Sequence, residues 1–304
     1  MTTEASGRKI LCYETMTEWD AAGYAHISSL QKAMAEEVLA LLDLKGSERI
    51  LDAGCGEGKI TAQIAERSPH GAVVGVDPSD DMIQFARAHF GGALRPNLRF
   101  QVADARSLPF HNEFDLVVSF NALHWIPAQG AALKSIHSAL KSDGKAQLRL
   151  VPAGERKSLE AVVEETRKTA RWSRYFENFA DPYLRLTPEE YAKLAEHCGF
   201  RVLRVSSRDH AWDFGSHAAF AAFSAVGLVA WTNRLPEASR TDFIEDVLNR
   251  YRQEVADHSG EENTFKFYQM DIALGKGKRR VSNPDCSPVR TNQLRHSPNS
   301  IRLC

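Results

Sequence analysis

The chain has 304 residues, enough for one large domain or for a domain with a cap. Hydrophobic residues make up 43% and charged residues 25%, which is ordinary for a soluble globular protein, and the formal net charge of −1 gives no overall field that would favour nucleic acid or an anionic membrane. The five cysteines are scattered without a Cys-x-x-Cys pair, so neither a disulfide framework nor a metal site of the zinc type is predicted.

The N-terminal "MTTEASGRKI" lacks the apolar core of a secretory signal. The longest apolar runs, such as 217–231, are too short and too interrupted to span a bilayer. We therefore expect a cytoplasmic protein that has no membrane segment and no nucleic-acid partner, and that is a monomer or a homodimer.

Helical and strand patterns alternate along the first half of the chain. Apolar residues at helical spacing predict a helix over 20–43, and a short apolar strand at 50–51 is followed at once by glycines. The pattern then predicts helices at 59–67, 79–90 and 131–140, and strands at 73–76, 97–105, 114–120 and 144–151. Alternation of this kind indicates a parallel sheet with right-handed crossovers, which we place at residues 45–151.

The pattern changes after residue 151. Residues 154–197 are predicted to be mostly helical, 199–214 to form a hairpin at the sheet edge, 217–257 to form two helices, and 264–276 to form a last strand. We therefore divide the chain into an N-terminal lid and helix (1–44), an α/β core (45–151), a helical cap with strands that complete the sheet (152–276), and a disordered tail (277–304), which is polar and rich in Ser, Pro and Asn.

The segment "LDAGCGEG" stands between the first strand and the second helix. Its glycines, Gly54, Gly56 and Gly58, allow a sharp turn and a close approach of a ligand to the backbone. The Gly-x-Gly-x-x-Gly order of a dinucleotide loop is absent, because Lys59 stands at the sixth position. Asp52, just before the loop, would repel a pyrophosphate but suits an ammonium group, which favours the amino-acid end of S-adenosylmethionine.

Asp52, Asp77 and Asp104 follow three consecutive predicted strands. Asp77 ends the second strand, about where a carboxylate would bind a ribose, and Asp104 ends the third, where it can accept a hydrogen bond from an adenine amino group. Met82 lies one turn into the following helix and could cover the adenine. Each has a plain alternative, because Asp77 and Asp104 could be caps or turn residues and Met82 could be a core residue. The ligands of open α/β sheets nevertheless bind at this edge.

These motifs resemble those of the class I S-adenosylmethionine-dependent methyltransferases, over about residues 13–275. "ILDAGCGEGKIT", "VVGVDPSDDMIQFAR" and "FQVADARSLPF" are similar to the first three motifs of that superfamily. More narrowly, "LVVSFNALHWI" and "YAKLAEHCGFRV" resemble two families of small-molecule carboxyl methyltransferases, those that act on trans-aconitate and on juvenile hormone acid. The resemblance implies a Rossmann-like α/β fold, with a mostly parallel seven-stranded sheet, flanking helices and a helical cap.

The resemblance also implies the roles of the site residues. The methionine end of S-adenosylmethionine would lie against Asp52, Gly54, Cys55, Gly56 and Asn121. The ribose would lie against Asp77, the adenine against Met82, Asp104 and Ala105, and the transferred methyl group against His124 and Trp125. The N-terminal segment would place Tyr13, Trp19, Tyr24 and Gln31 over the cofactor, with Tyr13 and Gln31 also near the substrate.

The acceptor is left open by the sequence, with carboxyl O-methylation of a small molecule favoured over N-methylation or other O-methylation. A carboxylate is ionised at neutral pH and needs no general base, whereas an amine, phenol or alcohol does. His124 could hold the acceptor carboxylate as a donor, act as that base, or be a structural histidine bonded to the backbone. Trp125 could both pack against the sheet and form a wall of the pocket.

An aromatic patch in "RWSRYFENFADPY" suggests a cap over the acceptor, or else simply the core of the cap. Within it, Arg174 and Tyr175 are candidate substrate residues, and Arg171 and Arg174 could meet a substrate carboxylate. The main alternative, methylation of a protein or an RNA, has its support in the basic run "KGKRR" at 276–280, which is more simply a solvated charge cluster.

Overall fold

The computed structural model describes residues 29–93, 95–256 and 260–277, with side chains from Met34 onwards. The predicted lid residues Tyr13, Trp19 and Tyr24 and the tail beyond Gly277 lie outside the described residues, and so does the side chain of Gln31.

Seven strands of the described chain form one sheet in the order β3-β2-β1-β4-β5-β7-β6. The strands are β1 (Arg49–Ala53), β2 (Ala72–Asp77), β3 (Leu98–Val102), β4 (Phe114–Phe120), β5 (Leu140–Leu150), β6 (Phe200–Asp213) and β7 (Thr264–Lys276). Strands β1 to β5 pair in parallel, and β7 is antiparallel to both of its neighbours, β5 and β6. The prediction of a mostly parallel seven-stranded α/β sheet is confirmed.

Helices cover the sheet and form the cap. They are α1 (Ser29–Ala40), α2 (Lys59–Arg67), α3 (Asp80–Phe90), α4 (Gln129–Ala139), α5 (Leu159–Thr166), α6 (Pro188–His197), α7 (His217–Gly227), α8 (Val229–Thr232) and α9 (Glu237–Val255). Ser79 caps α3 as expected, since its hydroxyl accepts a hydrogen bond from the Met82 amide. None of the described helices combines the length and the apolar composition that crossing a bilayer requires.

Three of the predicted elements differ from the structure. Residues 199–214 do not form a hairpin, because the 14-residue strand β6 pairs instead with β7, which follows some fifty residues later. Residues 217–257 contain α7, the single turn α8 and α9 rather than two helices. The prediction that residues 154–197 are mostly helical was wrong, because the chain between α5 and α6 is largely irregular, with one short 3₁₀ turn at Ser173–Tyr175.

The buried side chains fall into separate clusters on the sheet and in the cap. Val117, Leu148 and Ile272 belong to the cluster on one face of the sheet, to which α6 also contributes, and Ile50 and Ile83 belong to the cluster on the other face. The cap has a cluster of its own, built from α5, the irregular segment, α7 to α9 and the start of β7. The sheet and the cap therefore each have a packed interior.

Strand β1 lies between β2 and β4, so the order of the strands reverses there. At such a switch point, the loops that follow adjacent strands turn towards opposite faces and leave a crevice at the carboxyl ends. The glycine loop follows β1, Asp77 ends β2, and Asn121 follows β4. The sheet order therefore brings these predicted site residues to one edge.

Candidate active site

The glycine loop is held in a left-handed conformation against the end of β2. Gly54, Gly56 and Gly58 have φ angles of +83°, +52° and +86°. The amides of Gly54 and Cys55 both donate to the Val76 carbonyl, at 2.7 and 2.9 Å. Burial, with the nearby Asp52 and Asp77, raises the pKa of the Cys55 thiol, which is therefore neutral.

Gly54 also lies directly against the segment that follows β4. A Cβ atom at position 54 would stand 2.3 Å from the Cβ of Ala122, far inside van der Waals contact. Only glycine satisfies both the φ angle and this contact. The loop after β1 is therefore packed through its backbone against the Ala122 side chain of the corner after β4, at the place where the cofactor is predicted.

Asp52 is a buried carboxyl group below the glycine loop, with 2% of its surface exposed. The Thr61 hydroxyl donates to its Oδ2 atom at 2.7 Å. Burial raises the pKa of Asp52 to about 7, with a smaller contribution from the neighbouring Asp77 and Glu57, while the hydrogen bond from Thr61 opposes the shift. A cationic group placed nearby would favour the ionised form.

Asp77 joins the end of β2 to the glycine loop. Its Oδ2 atom accepts a hydrogen bond from the Gly56 amide and its Oδ1 atom one from the Ser79 amide, both at 3.0 Å. The side chain is 9% exposed. Met82, one turn into α3, is 3% exposed and packs as a core residue would.

Asp104 is a capping residue, which is the structural alternative to a role in adenine binding. It caps the 3₁₀ turn Ala105–Ser107, and its two oxygens accept hydrogen bonds from the amide and the Nε atom of Arg106, each at 2.8 Å. Ala105 is buried below the turn. The carboxylate still stands at the carboxyl end of β3, and each of its oxygens has a second lone pair for a ligand.

Asn121 forms a strained corner after β4. Its φ angle is +56°, its amide donates to the Arg149 carbonyl at 2.9 Å, and its buried Oδ1 atom has no hydrogen-bond partner among the described residues. A buried acceptor without a partner costs free energy that a donor from a ligand would recover. Its neighbour Ala122 contacts Gly54, so this acceptor lies beside the glycine loop.

His124 lies in the 3₁₀ turn Leu123–Trp125 and is 5% exposed. Its Nδ1 atom accepts a hydrogen bond from the Val151 amide at 3.3 Å, and its carbonyl accepts one from the Leu184 amide at 2.8 Å. Burial lowers the pKa of His124 to about 3. The ring is therefore neutral, and since Nδ1 accepts a hydrogen bond, the proton is on Nε2.

Trp125 joins the same corner to the cap. Its ring lies edge-on to those of Tyr183, at 5.0 Å between centroids, and Trp231, at 5.9 Å. Tyr183 also contacts the His124 ring, at 4.9 Å. Trp125 thus packs on the cap while remaining half-buried beside His124.

A family model described as a methyltransferase domain matches residues 50–144, the part of the chain that holds the glycine loop, Asp77, Asp104 and the Asn121–Trp125 corner. The chain belongs to the class I S-adenosylmethionine-dependent methyltransferase superfamily. It is an enzyme of the methyltransferase class, and its cofactor is S-adenosylmethionine.

This methyltransferase is similar to two curated relatives over most of its length. It is 28% identical to the trans-aconitate 2-methyltransferase of Deinococcus radiodurans over 268 residues, which cover 83% of this chain and 96% of the relative. It is 28% identical to the malonyl-[acyl-carrier protein] O-methyltransferase of Geobacter sulfurreducens over 272 residues, which cover 85% and 95%.

Among solved structures, the methyltransferase resembles the phosphoethanolamine N-methyltransferase 2 of Haemonchus contortus, solved with phosphomonomethylethanolamine and S-adenosylhomocysteine. The TM-score is 0.56 at 18% sequence identity, and the match covers 85% of this chain and 57% of that chain. At this identity the likeness supports the fold.

The residues at the sheet edge of the methyltransferase fit its cofactor. The buried Oδ1 atom of Asn121 without a partner and the Asp52 carboxyl group offer acceptors to an ammonium group. The close contact of Gly54 with Ala122 leaves the loop amides as the surface that a ligand would approach. The described residues contain no cluster of His, Cys, Asp and Glu that could hold a metal ion.

Sequence reasoning missed the residues that hold the His124 corner in place. Gln129 is 2% exposed, and its Nε2 atom donates to the carbonyls of Leu123 and of Ile126, the latter at 3.1 Å. The Tyr191 hydroxyl donates to the Gln129 Oε1 atom at 3.0 Å. The only signal was a polar residue at the start of an apolar helix, which is weak.

The two arginines of the aromatic patch have different surroundings. Arg171 pairs with Asp242 and Asp246 of α9, at 2.6 and 2.8 Å. Arg174 is exposed, stacks over the Tyr175 ring at 4.7 Å and donates to its hydroxyl at 2.7 Å. Arg171 is thus already bound within the cap, while Arg174 and Tyr175 lie together at its surface.

Proposed function

We propose that this methyltransferase transfers the methyl group to a carboxylate of a small organic molecule. Two relatives that align over nearly their whole length are named for O-methylation of malonyl-[acyl-carrier protein] and for methylation of trans-aconitate. Because the identity to both relatives is only 28%, the choice of acceptor is argued from the chemistry of the site.

The observation that carries the proposal is the state of His124. A histidine with a pKa of about 3 stays neutral at neutral pH, and it is a much weaker proton acceptor than an ordinary imidazole. Burial likewise raises the pKa of the neighbouring Tyr183 well above its usual value, so its hydroxyl stays protonated. A carboxylate acceptor is ionised without help and suits a corner of this kind, whereas an amine, phenol or alcohol would lack a base.

In this proposal the cofactor lies along the edge formed by β1, β2, β3 and β4. Its methionine moiety is held by Asp52, Gly54, Cys55, Gly56 and Asn121, its ribose by Asp77, and its adenine by Met82, Asp104 and Ala105. The Nε2–H group of His124 donates to the acceptor carboxylate and Trp125 forms the apolar wall. Tyr13 and Gln31 from the N-terminal segment and Arg174 and Tyr175 from the cap complete the acceptor side.

S-adenosylmethionine, when bound, would supply a methyl group on a positively charged sulfur, so that an acceptor oxygen could bond to the methyl carbon as the carbon–sulfur bond breaks and the neutral thioether leaves. The protein then has to align the acceptor, and good alignment can remove roughly 7–11 kcal/mol from the barrier. The contacts of Trp125 with Tyr183 and Trp231 give that side of the corner an apolar wall that excludes water. An acceptor carboxylate that loses its hydration there becomes more reactive.

The test is transfer of tritium from methyl-labelled S-adenosylmethionine to separate pools of carboxylic acids, amines, phenols, malonyl-loaded acyl carrier protein, unrelated proteins and tRNA. We expect counts in the carboxylic acid pool that become volatile after mild base, because methyl esters release methanol. Base-stable counts in the amine or phenol pool, or transfer only to unrelated protein or tRNA, would overturn the proposal. The malonyl arm distinguishes a carrier-bound carboxylate from a free one.

Replacement of His124 separates binding from base catalysis. In His124→Asn we expect KM for the acceptor to rise, while the pH profile of kcat between pH 5.5 and 8 keeps the wild-type shape. His89→Asn is the matched control, because His89 is exposed and stacks on Phe85 of α3. A fall in kcat with a new pH dependence would instead make His124 a base.

A further inference from the structure

Arg149, at the end of β5, is a fully buried arginine whose contacts reach three elements. Its Nε and Nη2 atoms donate to the two oxygens of Asp271 on β7, at 2.7 and 2.8 Å, and none of its surface is exposed. Its Nη1 atom donates to Glu37 on α1 at 3.1 Å. Its carbonyl accepts the amide of Asn121. One residue thus contacts β7, α1 and the strained corner of the active site.

Helix α1 is the element that this arginine ties to the sheet. Leu39, near the end of α1, is buried in the cluster on the α1 face of the sheet, and Met34 packs against the cluster of the cap. Glu37 lies between these two residues on the chain. The helix therefore crosses the junction between the cap and the α/β core of residues 45–151, which we call the cofactor half. The ion pair of Glu37 with Arg149 lies at this junction.

Glu37 provides the acceptor for the part of the Arg149 guanidinium that Asp271 does not bind. Asp271 occupies one edge of the guanidinium, and it is itself 3% exposed, so the two form a buried pair. The Nη1 atom is not part of that pair, and its acceptor is the Glu37 carboxylate. If α1 moved away, Nη1 would lose this acceptor. Because buried donors without partners are costly, α1 is held where its carboxylate meets this group. Glu37 itself is 40% exposed, so it can leave for water when α1 moves.

We propose that Glu37 and Arg149 are positioning residues that couple the docking of helix α1 to cofactor binding. The side chain of Arg149 fixes α1, and its carbonyl fixes Asn121, whose buried Oδ1 atom has no partner among the described residues. A ligand that orders the Asn121 corner therefore favours docked α1, and docked α1 favours the ligand to the same extent. The inference rests on the cofactor alone and is independent of the acceptor.

The test is calorimetric binding of S-adenosylhomocysteine to the full chain with Glu37→Ala or Glu37→Gln. We expect the Kd to rise at least about fivefold in Glu37→Ala, the lower end of typical coupling between sites. Glu37→Gln retains a hydrogen-bond acceptor without the charge, so its Kd should lie between wild type and Glu37→Ala. Glu36→Ala is the matched control, because Glu36 is the exposed neighbour of Glu37 on the same helix. The Kd of this variant should stay within about twofold of wild type.

A second measurement separates coupling from simple stabilisation. Saturating S-adenosylhomocysteine should slow tryptic cleavage after Lys32, within α1, in wild type and Glu36→Ala but not in Glu37→Ala. A merely structural role would lower the melting temperature of the ligand-free protein and leave the Kd and the ligand protection unchanged. A Kd for Glu37→Ala within about twofold of wild type, or protection equal to wild type, would overturn the proposal.

Discussion

The cofactor half and the cap use polar and aromatic residues in different ways. In the cofactor half, Asp77 and Asp104 stand at strand ends and bond to nearby backbone amides, so that they shape the loops at the sheet edge. In the cap, Trp172 and Phe176 are buried in a core of their own. Position relative to a strand end is therefore a better guide to a site than residue type, because the sheet register brings strand ends together.

The difference also concerns how the two regions are held. At the cofactor edge, the backbone of Gly54 packs directly against the side chain of Ala122. The cap depends on side chains from distant parts of the chain, such as Trp172, whose Nε1 atom donates to Asp246 at 2.8 Å. Substitutions should therefore separate the two regions: those in the cap should change stability, and those at the edge should change cofactor affinity.

The largest effect is expected from Trp172→Ala. The side chain is 3% exposed and meets the Phe243 ring at 5.2 Å, so its loss leaves a large cavity in the cap. We expect the free energy of unfolding in urea to fall by about 3–5 kcal/mol, with the Kd for S-adenosylhomocysteine nearly unchanged. Unchanged stability with a raised KM for the acceptor would instead place Trp172 in the acceptor pocket. It would contradict the expectation that cap residues act on stability.

Gly54→Val tests the cofactor edge. A Cβ atom there collides with Ala122 and also disfavours the φ angle of +83°, so the loop must move by about an ångström or more. We expect the calorimetric Kd for S-adenosylhomocysteine to rise by about 100-fold. Gly92→Val is the control, because Gly92 has a φ angle of +96° but open space around it. Equal losses in the two variants would mean that backbone strain, and not the contact, is responsible.

Asp52 predicts a pH dependence. Its pKa rises from 3.8 to about 7 on folding, so between these values the folded state binds more protons than the unfolded state, and the contribution of Asp52 to stability falls as pH rises. A bound ammonium group favours the ionised form, so S-adenosylhomocysteine should bind with proton release near pH 6 and more tightly at pH 7 than at pH 5.

Calorimetry in buffers of different ionisation enthalpy measures that proton release. Asp52→Asn should abolish it and flatten the pH dependence of the Kd, whereas Asp115→Asn should not, because Asp115 pairs with Lys141 away from the glycine loop. Proton release that persists in Asp52→Asn would assign the titration to another group.

The smallest effect is expected from Arg174→Ala. An exposed arginine that meets a substrate carboxylate contributes little, so KM for the acceptor should rise by no more than about fivefold, without a change in melting temperature. Arg171→Ala should leave KM unchanged, since Arg171 pairs with Asp242 and Asp246. If the two variants have the same KM, Arg174 belongs to the surface of the cap.

The alternation of strands and helices in the first half of the chain could be predicted because each element has a local sequence signal. The glycine loop, the Ser79 cap and the positions of Asp77 and Asp104 follow from short segments whose periodicity indicates the element. The roles of the acids as cofactor ligands remain predictions. The prediction of a hairpin at 199–214 was wrong because helices α7 to α9 separate β6 from its partner β7 along the chain, and no local pattern signals that pairing.

The unpredicted parts of the site depend on long-range partners. Arg149 and Asp271 are 122 residues apart, and each is a charged residue between two apolar neighbours, which a sequence pattern registers only as an irregularity. The state of His124 depends on the amide of Val151 and on burial by the cap, neither of which is visible in "NALHWI". Burial and partners, rather than residue type, set the pKa of an imidazole.

The place of β7 in the sheet has a consequence for how the protein is made. A ribosome adds residues 264–276 after everything else in the sheet, yet they insert between β5 and β6. Until they emerge, the 14 residues of β6 have no strand partner within the described chain, and the sheet ends at β5. The nascent chain therefore carries β6 without its partner while the residues between β6 and β7 are added, and the sheet is completed only when β7 follows.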